Sequence, residues 1–484
     1  MRYHLTPIHC RPWTLSYLSI KLVESHYEND YGSALRRLNA ITEQLEKLDW
    51  ASTPAYVING LKRDELSALN SKLLHELYFA SMGGNGQPTK EMSAVLARDF
   101  GSGLQWKDEF VAMGNALASG SGWVMLTYIP RDRRLVNQYA SEHSQAVAGG
   151  IPILALDMYE HAYHMDYGAN TKAYVDMFMR NVDWKALYTR YEDAAKVGGL
   201  RPVEQKAITE KVGSLDWANT PDHVINGLKR EELVALNSTL LRELNFASVG
   251  GDAQPTEAMS AVLARDFGSA LRWKGEFVAM GNALSGGSGW VVLTYVPGDR
   301  RLVNQHASDH SQAVAGGIPI LALNMYEHAY YTDYGANAKA YVDFFLRNVD
   351  WTTLYTRYED AAKVGGLRPL EQPEFGNLPS VGVEDVKAML DTGKPVQVID
   401  ARPRAAVFRT PEVMQGATWR DPERVPEWAG ELSKSDPVVV FCSYGFHVGC
   451  KTAIKLRDLG FDAKYMTGGH SAWKAIGGPM KLFA

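Results

Sequence analysis

Asp157 and His161 stand four residues apart, where an apolar strand, Ile151 to Leu156, is expected to run into a helix. A carboxylate and an imidazole at that spacing can meet one ion, and both donor types suit manganese or iron. His26 and His75 each fall on an expected amphipathic helix, beside Val23 and Tyr27 in one case and Leu74 and Tyr78 in the other. A single histidine on an apolar face is more often a satisfied core residue. Taken together, the four make a set of three imidazoles and one carboxylate with room for a bound solvent. A second reactive group is Cys442, which opens the run Cys442-Ser443-Tyr444-Gly445-Phe446-His447 between a strand ending at Phe441 and a helix starting near Val448. A thiol placed there lies among backbone N–H groups at the positive end of a helix, which favours the thiolate. Cys450 falls within that helix and reads as a buried structural thiol.

The elements that must hold these groups come from a duplication. The chain has 484 residues, enough for about three domains. Leu48-Asp49-Trp50-Ala51 returns as Leu215-Asp216-Trp217-Ala218, and Asn39 to Glu43 returns loosely as Lys206 to Glu210. The offset is 167 residues and holds to the end of the copies, where Gly198-Gly199-Leu200-Arg201-Pro202 matches Gly365-Gly366-Leu367-Arg368-Pro369. A period that long makes each copy a folded unit rather than one turn of a solenoid. Copy 1 alone begins with the extra residues Trp13 to Arg37, which read as a helix. In copy 1, Asp64 to Phe79 and Phe100 to Ala118 read as helices. Gly120 to Tyr128 reads as a turn into a strand, and about Tyr159 to Val182 as a last helix. After Pro379, continuous apolar strands at Pro395 to Asp400 and Pro437 to Phe441 alternate with helices at Val383 to Leu390 and Val448 to Leu459, the pattern of a parallel sheet.

With these residues placed, copy 1 resembles the iron/manganese superoxide dismutases from about Pro7 to Leu187, and copy 2 from about Lys206 to Leu354. The specific match is Asp157-Met158-Tyr159-Glu160-His161-Ala162-Tyr163, with Tyr159 where the family has tryptophan. Ser121-Gly122-Trp123, Phe100-Gly101-Ser102, Ser25-His26-Tyr27 with Asn39, and His75 ahead of Tyr78-Phe79 and Pro88-Thr89 agree as well. The resemblance implies His26, His75, Asp157 and His161 as ligands of one iron or manganese ion. It implies superoxide, or another small oxygen or sulfur species, as substrate. The family's gateway tyrosine and histidine positions hold Ala34 and Asp30. Its solvent-bonding outer residue is expected at His143 or Gln145.

In copy 2, His75 becomes Arg242 and Asp157 becomes Asn324, the helix of His26 is missing, and only His328 remains. A guanidinium in a cation site repels the ion it should bind. Copy 2 is therefore expected to be free of metal and to act as partner in an intramolecular pseudo-dimer. Glu327 would then orient His161 across the junction.

Ser380 to Ala484 resembles the rhodanese sulfurtransferases through Val398-Ile399-Asp400-Ala401-Arg402, Gly416-Ala417, the six-residue loop at Cys442, and Gly468-Gly469 with Trp473. This implies that Cys442 carries a persulfide between a sulfane-sulfur donor and a thiol acceptor. The last loop position, often arginine in that family, is His447, a cation only below its pKa.

The fold class expected is α+β for the two tandem copies, each a helical hairpin plus a small sheet portion, with an α/β domain at the C-terminus. Residues 1–200, 201–368 and 376–484 are the three domains. A net charge of −5 excludes a sequence-independent grip on nucleic acid. No apolar run can span a bilayer, and three cysteines make no disulfide scaffold, so a cytoplasmic setting is expected. Homo-oligomers are compatible with the duplication. The function expected is a dismutase-type metalloenzyme fused to a sulfurtransferase, in oxidative or metal-stress defence. The alternatives are a different metal reaction coupled to the persulfide, and a metal or thiol sensor without catalysis.

Overall fold

The computed structural model describes residues 2–118, 120–197, 212–251, 254–367 and 372–482. The expected linker Gly198 to Pro202 and the repeat segment Lys206 to Glu210 lie outside them. By compactness the chain forms two units. One holds Leu15–Tyr17 and Leu38–Arg368. The other holds Arg2–Thr14, Leu18–Arg37 and Pro369–Ala484.

The first unit contains both copies, and each repeats the same order. In copy 1 a long helix, α1 (Ala55–Ala80), is followed by helices Lys90–Phe100 and α2 (Gly103–Ala116). Gly101 separates the latter two, so the single helix expected over Phe100 to Ala118 starts later, with Ser102 as its cap. Strands β1 (Trp123–Ile129), β2 (Arg134–Ala140) and β3 (Ile151–Asp157) form an antiparallel sheet in the order β2-β1-β3. The helix expected over Tyr159 to Val182 is broken. A short turn at Glu160–Ala162 leads through Gly168 (φ 54°) to Thr171–Asn181. Copy 2 matches with α3 (Asp222–Phe246), α4 (Ala270–Ala283), β4 (Trp290–Val296), β5 (Arg301–Ala307) and β6 (Ile318–Asn324).

The copies are joined by mirrored contacts. Asn70 of α1 donates to the carbonyls of His143 (2.7 Å) and Ala313 (2.8 Å) and accepts from the Ala315 amide (2.9 Å). Asn237 of α3 does the same for Ala146 and Ala148. Lys62 is buried between Glu65 and Glu276, as Lys229 is between Glu232 and Glu109. Two carboxylates around each ammonium offset the desolvation that a lone buried charge could not bear. Ile58 and Trp50 of copy 1 lie in the copy 2 core with Trp273, Phe277 and Met280. Asn70→Ala is expected to lower stability by about 2–3 kcal/mol, because two buried backbone groups across the junction, at Ala313 and Ala315, and the half-buried His143 carbonyl lose their partner. Urea denaturation checks this, and an unchanged midpoint would remove Asn70 from the junction's energetics.

The second unit is built on a parallel sheet. Its strands are β7 (Ser380–Val381), β8 (Gln397–Asp400), β10 (Ala417–Trp419), β11 (Val438–Phe441) and β12 (Ala463–Met466), in the order β10-β8-β11-β12-β7. A ribbon of β9 (Glu412–Met414) and β13 (Met480–Leu482) stands beside it. The helices α5 (His447–Asp458) and α6 (Gly469–Ala475) follow β11 and β12. The N-terminal residues of this unit pack on that domain. The Leu5 amide donates to Glu384 Oε1 (2.6 Å), Ser471 Oγ donates to Glu28 Oε1 (2.8 Å), and Lys474 pairs with Glu28 (2.6 Å). Arg36 donates to the Ala475 carbonyl. The helix expected over Trp13 to Arg37 starts only at Ile20, where Ser19 caps it, because Tyr17 takes a positive φ of 64°.

Candidate functional site

In the first unit, α1 and the end of β3 bring His75, Asp157 and His161 together. Asp157 is the last residue of β3, opposite Trp123 of β1, and is fully buried. Its Oδ1 accepts from the Tyr159 amide (2.8 Å), which leaves Oδ2 directed to the histidines. Asp157 Oδ2 lies 3.2 Å from His161 Nε2 and 3.6 Å from His75 Nε2, and the two imidazole nitrogens are 3.4 Å apart. Ligands held about 2.1 Å from one ion lie roughly 3.0–3.6 Å from one another, so the three atoms fit a metal. Two imidazoles and a carboxylate are also a donor set for iron or manganese. Among the described residues, copy 2 has no such group.

The surroundings fix how the donors point. His75 Nδ1 lies 2.6 Å from the carbonyl of Ser71, one helical turn earlier. A carbonyl can only accept, so the proton sits on Nδ1 and Nε2 carries the lone pair. The Tyr174 hydroxyl donates to the Asp157 carbonyl (2.8 Å) and fixes the end of β3. Trp123 Nε1 donates to His143 Nδ1 (3.0 Å), which puts the His143 proton on Nε2. His143 stacks on Tyr159 with centroids 4.6 Å apart, and Tyr159 in turn stacks on His161 at 5.6 Å. Burial, then the charges of Asp157 and Glu142, push the Tyr159 phenol above its ordinary pKa. Tyr159 therefore stays protonated beside the site.

Of the two outer residues expected, His143 lies against the donor set, its ring 6.2 Å from that of His75. Gln145 is turned into its own loop, where Oε1 accepts from the Ser141 amide (2.8 Å) and hydroxyl (3.1 Å). Copy 2 repeats that clamp with Gln312 and Ser308, and it repeats the Trp290–His310–Tyr326 stack. At the positions equivalent to His75, Asp157 and His161, copy 2 holds an exposed Arg242, a buried Asn324 and an exposed His328. Burial, then the Arg242 charge, lowers the His310 pKa. Glu327, expected to orient His161, is exposed. The copies meet through Asn70, Asn237 and a backbone bridge between Gln145 and Gln312. Ser71, Trp123 and Tyr174 were not anticipated as orienting residues. The only signal for Ser71 was its place four residues before His75 on one helix.

His26, in the second unit, is buried and begins a π-helical stretch, His26–Tyr31. Such stretches are frequent at functional positions. Tyr27 and Tyr31 on that stretch bond the backbone of Thr6.

Also in the second unit, Cys442 follows β11, and its loop ends at the start of α5. Gly445 (φ 76°) and Gly469 (φ 60°) let the loop fold back against α6. A Cβ on Gly469 would come 2.3 Å from the Cys442 carbonyl oxygen. The amides of His470 and Ser471 donate to the carbonyls of Cys442 and Ser443. The Cys442 thiol is largely buried, with Sγ 3.5 Å from the Phe446 carbonyl. Burial pushes the Cys450 thiol up to about 12, consistent with an inert structural group. His447 lies at the loop's exit with Nε2 3.5 Å from Glu374 Oε1.

Residues 88–190 and 255–357 match the family model described as iron/manganese superoxide dismutases, C-terminal domain. Residues 382–476 match that of a rhodanese-like domain. The chain is 56% identical over 196 residues to an iron superoxide dismutase of Cupriavidus metallidurans, covering all of that protein and 40% of this chain. It is 33% identical over 189 residues to a manganese superoxide dismutase of Halobacterium salinarum, 90% of that protein and 37% of this chain. An iron superoxide dismutase of Aquifex pyrophilus is 30% identical over 196 residues, 91% of its length and 39% of this chain. No helix among the described residues is long and apolar enough to cross a membrane.

Proposed function

The chain belongs to the iron/manganese superoxide dismutases, and on that premise we propose that its first copy (1–200) holds one iron or manganese ion and dismutes superoxide. The second copy (201–368) is its metal-free partner in an intramolecular pseudo-dimer, and the C-terminal domain (376–484) transfers sulfur through Cys442. The observation that carries the metal reading is the mutual spacing of 3.2–3.6 Å among His75 Nε2, His161 Nε2 and Asp157 Oδ2. His26 joins them as fourth ligand, on the strength of the family pattern around Ser25-His26-Tyr27 and Asn39. The bound ion supplies a one-electron couple. The residues of the chain orient the donors and keep a proton near them. Ser71 fixes the His75 tautomer, and His143 carries a proton on Nε2 because Trp123 occupies its Nδ1. The reading fits a role in oxidative or metal-stress defence. Metal analysis of the purified chain with a superoxide assay tests it: bound iron or manganese with rapid dismutation supports it, and a metal-free chain overturns it. Ala34 at the gateway position favours a second reading, the same metal set acting on another small oxygen or sulfur species. Full metal with slow dismutation selects that one.

In the sulfur reaction, Cys442 Sγ attacks the sulfane sulfur of the donor. A sulfur–sulfur bond forms while the bond to the rest of the donor breaks, and that remainder leaves as an anion. An acceptor thiolate then takes the terminal sulfur and regenerates the Cys442 thiolate. Amides of the loop and of the first turn of α5 suit the persulfide anion. Cys442→Ser is expected to abolish sulfur transfer from thiosulfate or mercaptopyruvate to cyanide, read as thiocyanate, and to leave metal content unchanged. Transfer that survives the substitution would overturn the assignment.

A further inference from the structure

The loop ends in His447 where a permanent cation would suit an anionic donor, and the second unit places another cation close by. Arg11 lies with its guanidinium carbon 5.8 Å from the centre of the Phe446 ring, and Phe446 is the residue whose carbonyl meets Cys442 Sγ. Arg11 Nη2 donates to Glu374 Oε1 at 3.3 Å, and the same oxygen is 3.5 Å from His447 Nε2. One carboxylate oxygen thus sits between the Arg11 guanidinium and the His447 imidazole at the exit of the loop. The neighbouring N-terminal residues form a wall around it. Trp13 packs on Tyr444 (5.8 Å) and edge-on to Phe446 (5.7 Å), and Tyr444 donates its hydroxyl to Glu24 Oε1.

We propose that Arg11 and His447 form an anion-recognition pair at the mouth of the Cys442 loop, with the Glu374 carboxylate as its built-in occupant. The ligand class is a small anion bearing a transferable sulfur, such as a thiosulfonate or a mercapto-acid. Arg11 is then a specificity-determining residue that the N-terminal segment contributes to the C-terminal domain. It supplies the fixed charge that His447 lacks when neutral. Glu374 competes with the anion for both cations, so removing its charge strengthens recognition.

This proposal rests on the sulfur-transfer reading, and its test is chosen to be independent of any sulfur donor. The full-length protein is alkylated with iodoacetate, an anion, and in parallel with iodoacetamide, its neutral analogue. In both, the Cys442 thiolate forms a sulfur–carbon bond as iodide leaves, and peptide mass spectrometry follows the Cys442 peptide alone. Arg11→Gln is expected to lower the iodoacetate-to-iodoacetamide rate ratio about threefold, in the range of an exposed charge pair, and to flatten its salt dependence. Arg11→Lys restores most of the ratio, and Glu374→Gln raises it above the parent's. An unchanged ratio in Arg11→Gln overturns the proposal, as does a Cys442 that neither reagent reaches. A shifted ratio in a protein that transfers no sulfur would leave anion recognition standing and remove only the sulfur-transfer reading.

Discussion

His75→Ala is expected to strip the metal from the full-length protein and to take dismutation with it. His75 is almost fully buried on α1, its Nδ1 proton is committed to the Ser71 carbonyl, and its Nε2 lies 3.4 Å from His161 Nε2. Removing it deletes a ligand and leaves the buried Asp157 carboxylate facing an apolar gap. Loss of an outer partner of a ligand typically weakens metal binding by 10–100-fold, so loss of the ligand itself should exceed about 100-fold. Elemental analysis of the purified variant reads the metal directly. A superoxide assay on the same sample reads activity, and circular dichroism shows that the fold persists. Full metal content in the variant would dismantle the proposed ligand set. Copy 2 already contains the harsher form of this substitution, since the equivalent residue is Arg242 and the equivalent of Asp157 is the neutral Asn324.

The second large effect is on the stability of the C-terminal domain. Arg402 and Asp400 are both about 1% exposed. The guanidinium meets the carboxylate through Nε (3.0 Å) and Nη2 (2.7 Å), and its remaining protons go to the carbonyls of Thr410 and Glu412 and to His470 Nδ1 (3.4 Å). Asp400 ends β8, which pairs with β10 on one side and β11 on the other. Arg402→Met keeps most of the volume but strands a carboxylate in the centre of the sheet, so the domain should lose about 3–5 kcal/mol. Chemical denaturation at neutral pH checks it. A variant as stable as the parent at neutral pH would show that this pair does not hold the sheet together.

Much of this was legible in residues. The period of 167 is exact enough that Asn70 and Asn237, or Lys62 and Lys229, come out as mirrored contacts. The Asp157–His161 spacing and the strand–loop–helix around Cys442 are local patterns, and both survive as elements. What escaped is non-local or runs against simple alternation. Strand β2 buries Asn137 and Gln138, polar residues that no hydrophobic pattern would place inside. They are accommodated by Trp106, whose Nε1 donates to Asn137, and by Thr127, whose hydroxyl donates to Gln138. Asn70 and Asn237, which bond across the two copies, lie far from the Glu327-His328 dipeptide in sequence and had no local signal. The packing of the first residues on the C-terminal domain had no local signal at all.

That packing also sets an order of assembly. Leu5 waits for Glu384, Glu24 for Tyr444 and Glu28 for Ser471, separations of 379, 420 and 443 residues. At ribosomal rates of 5–20 residues per second, Glu28 is made roughly 20–90 s before its partner. Throughout that time both tandem copies can fold, while the segment around Glu28 remains without its docking surface. A chain interrupted before Ser471 lacks the bond to Glu28 that ties this segment to the C-terminal domain.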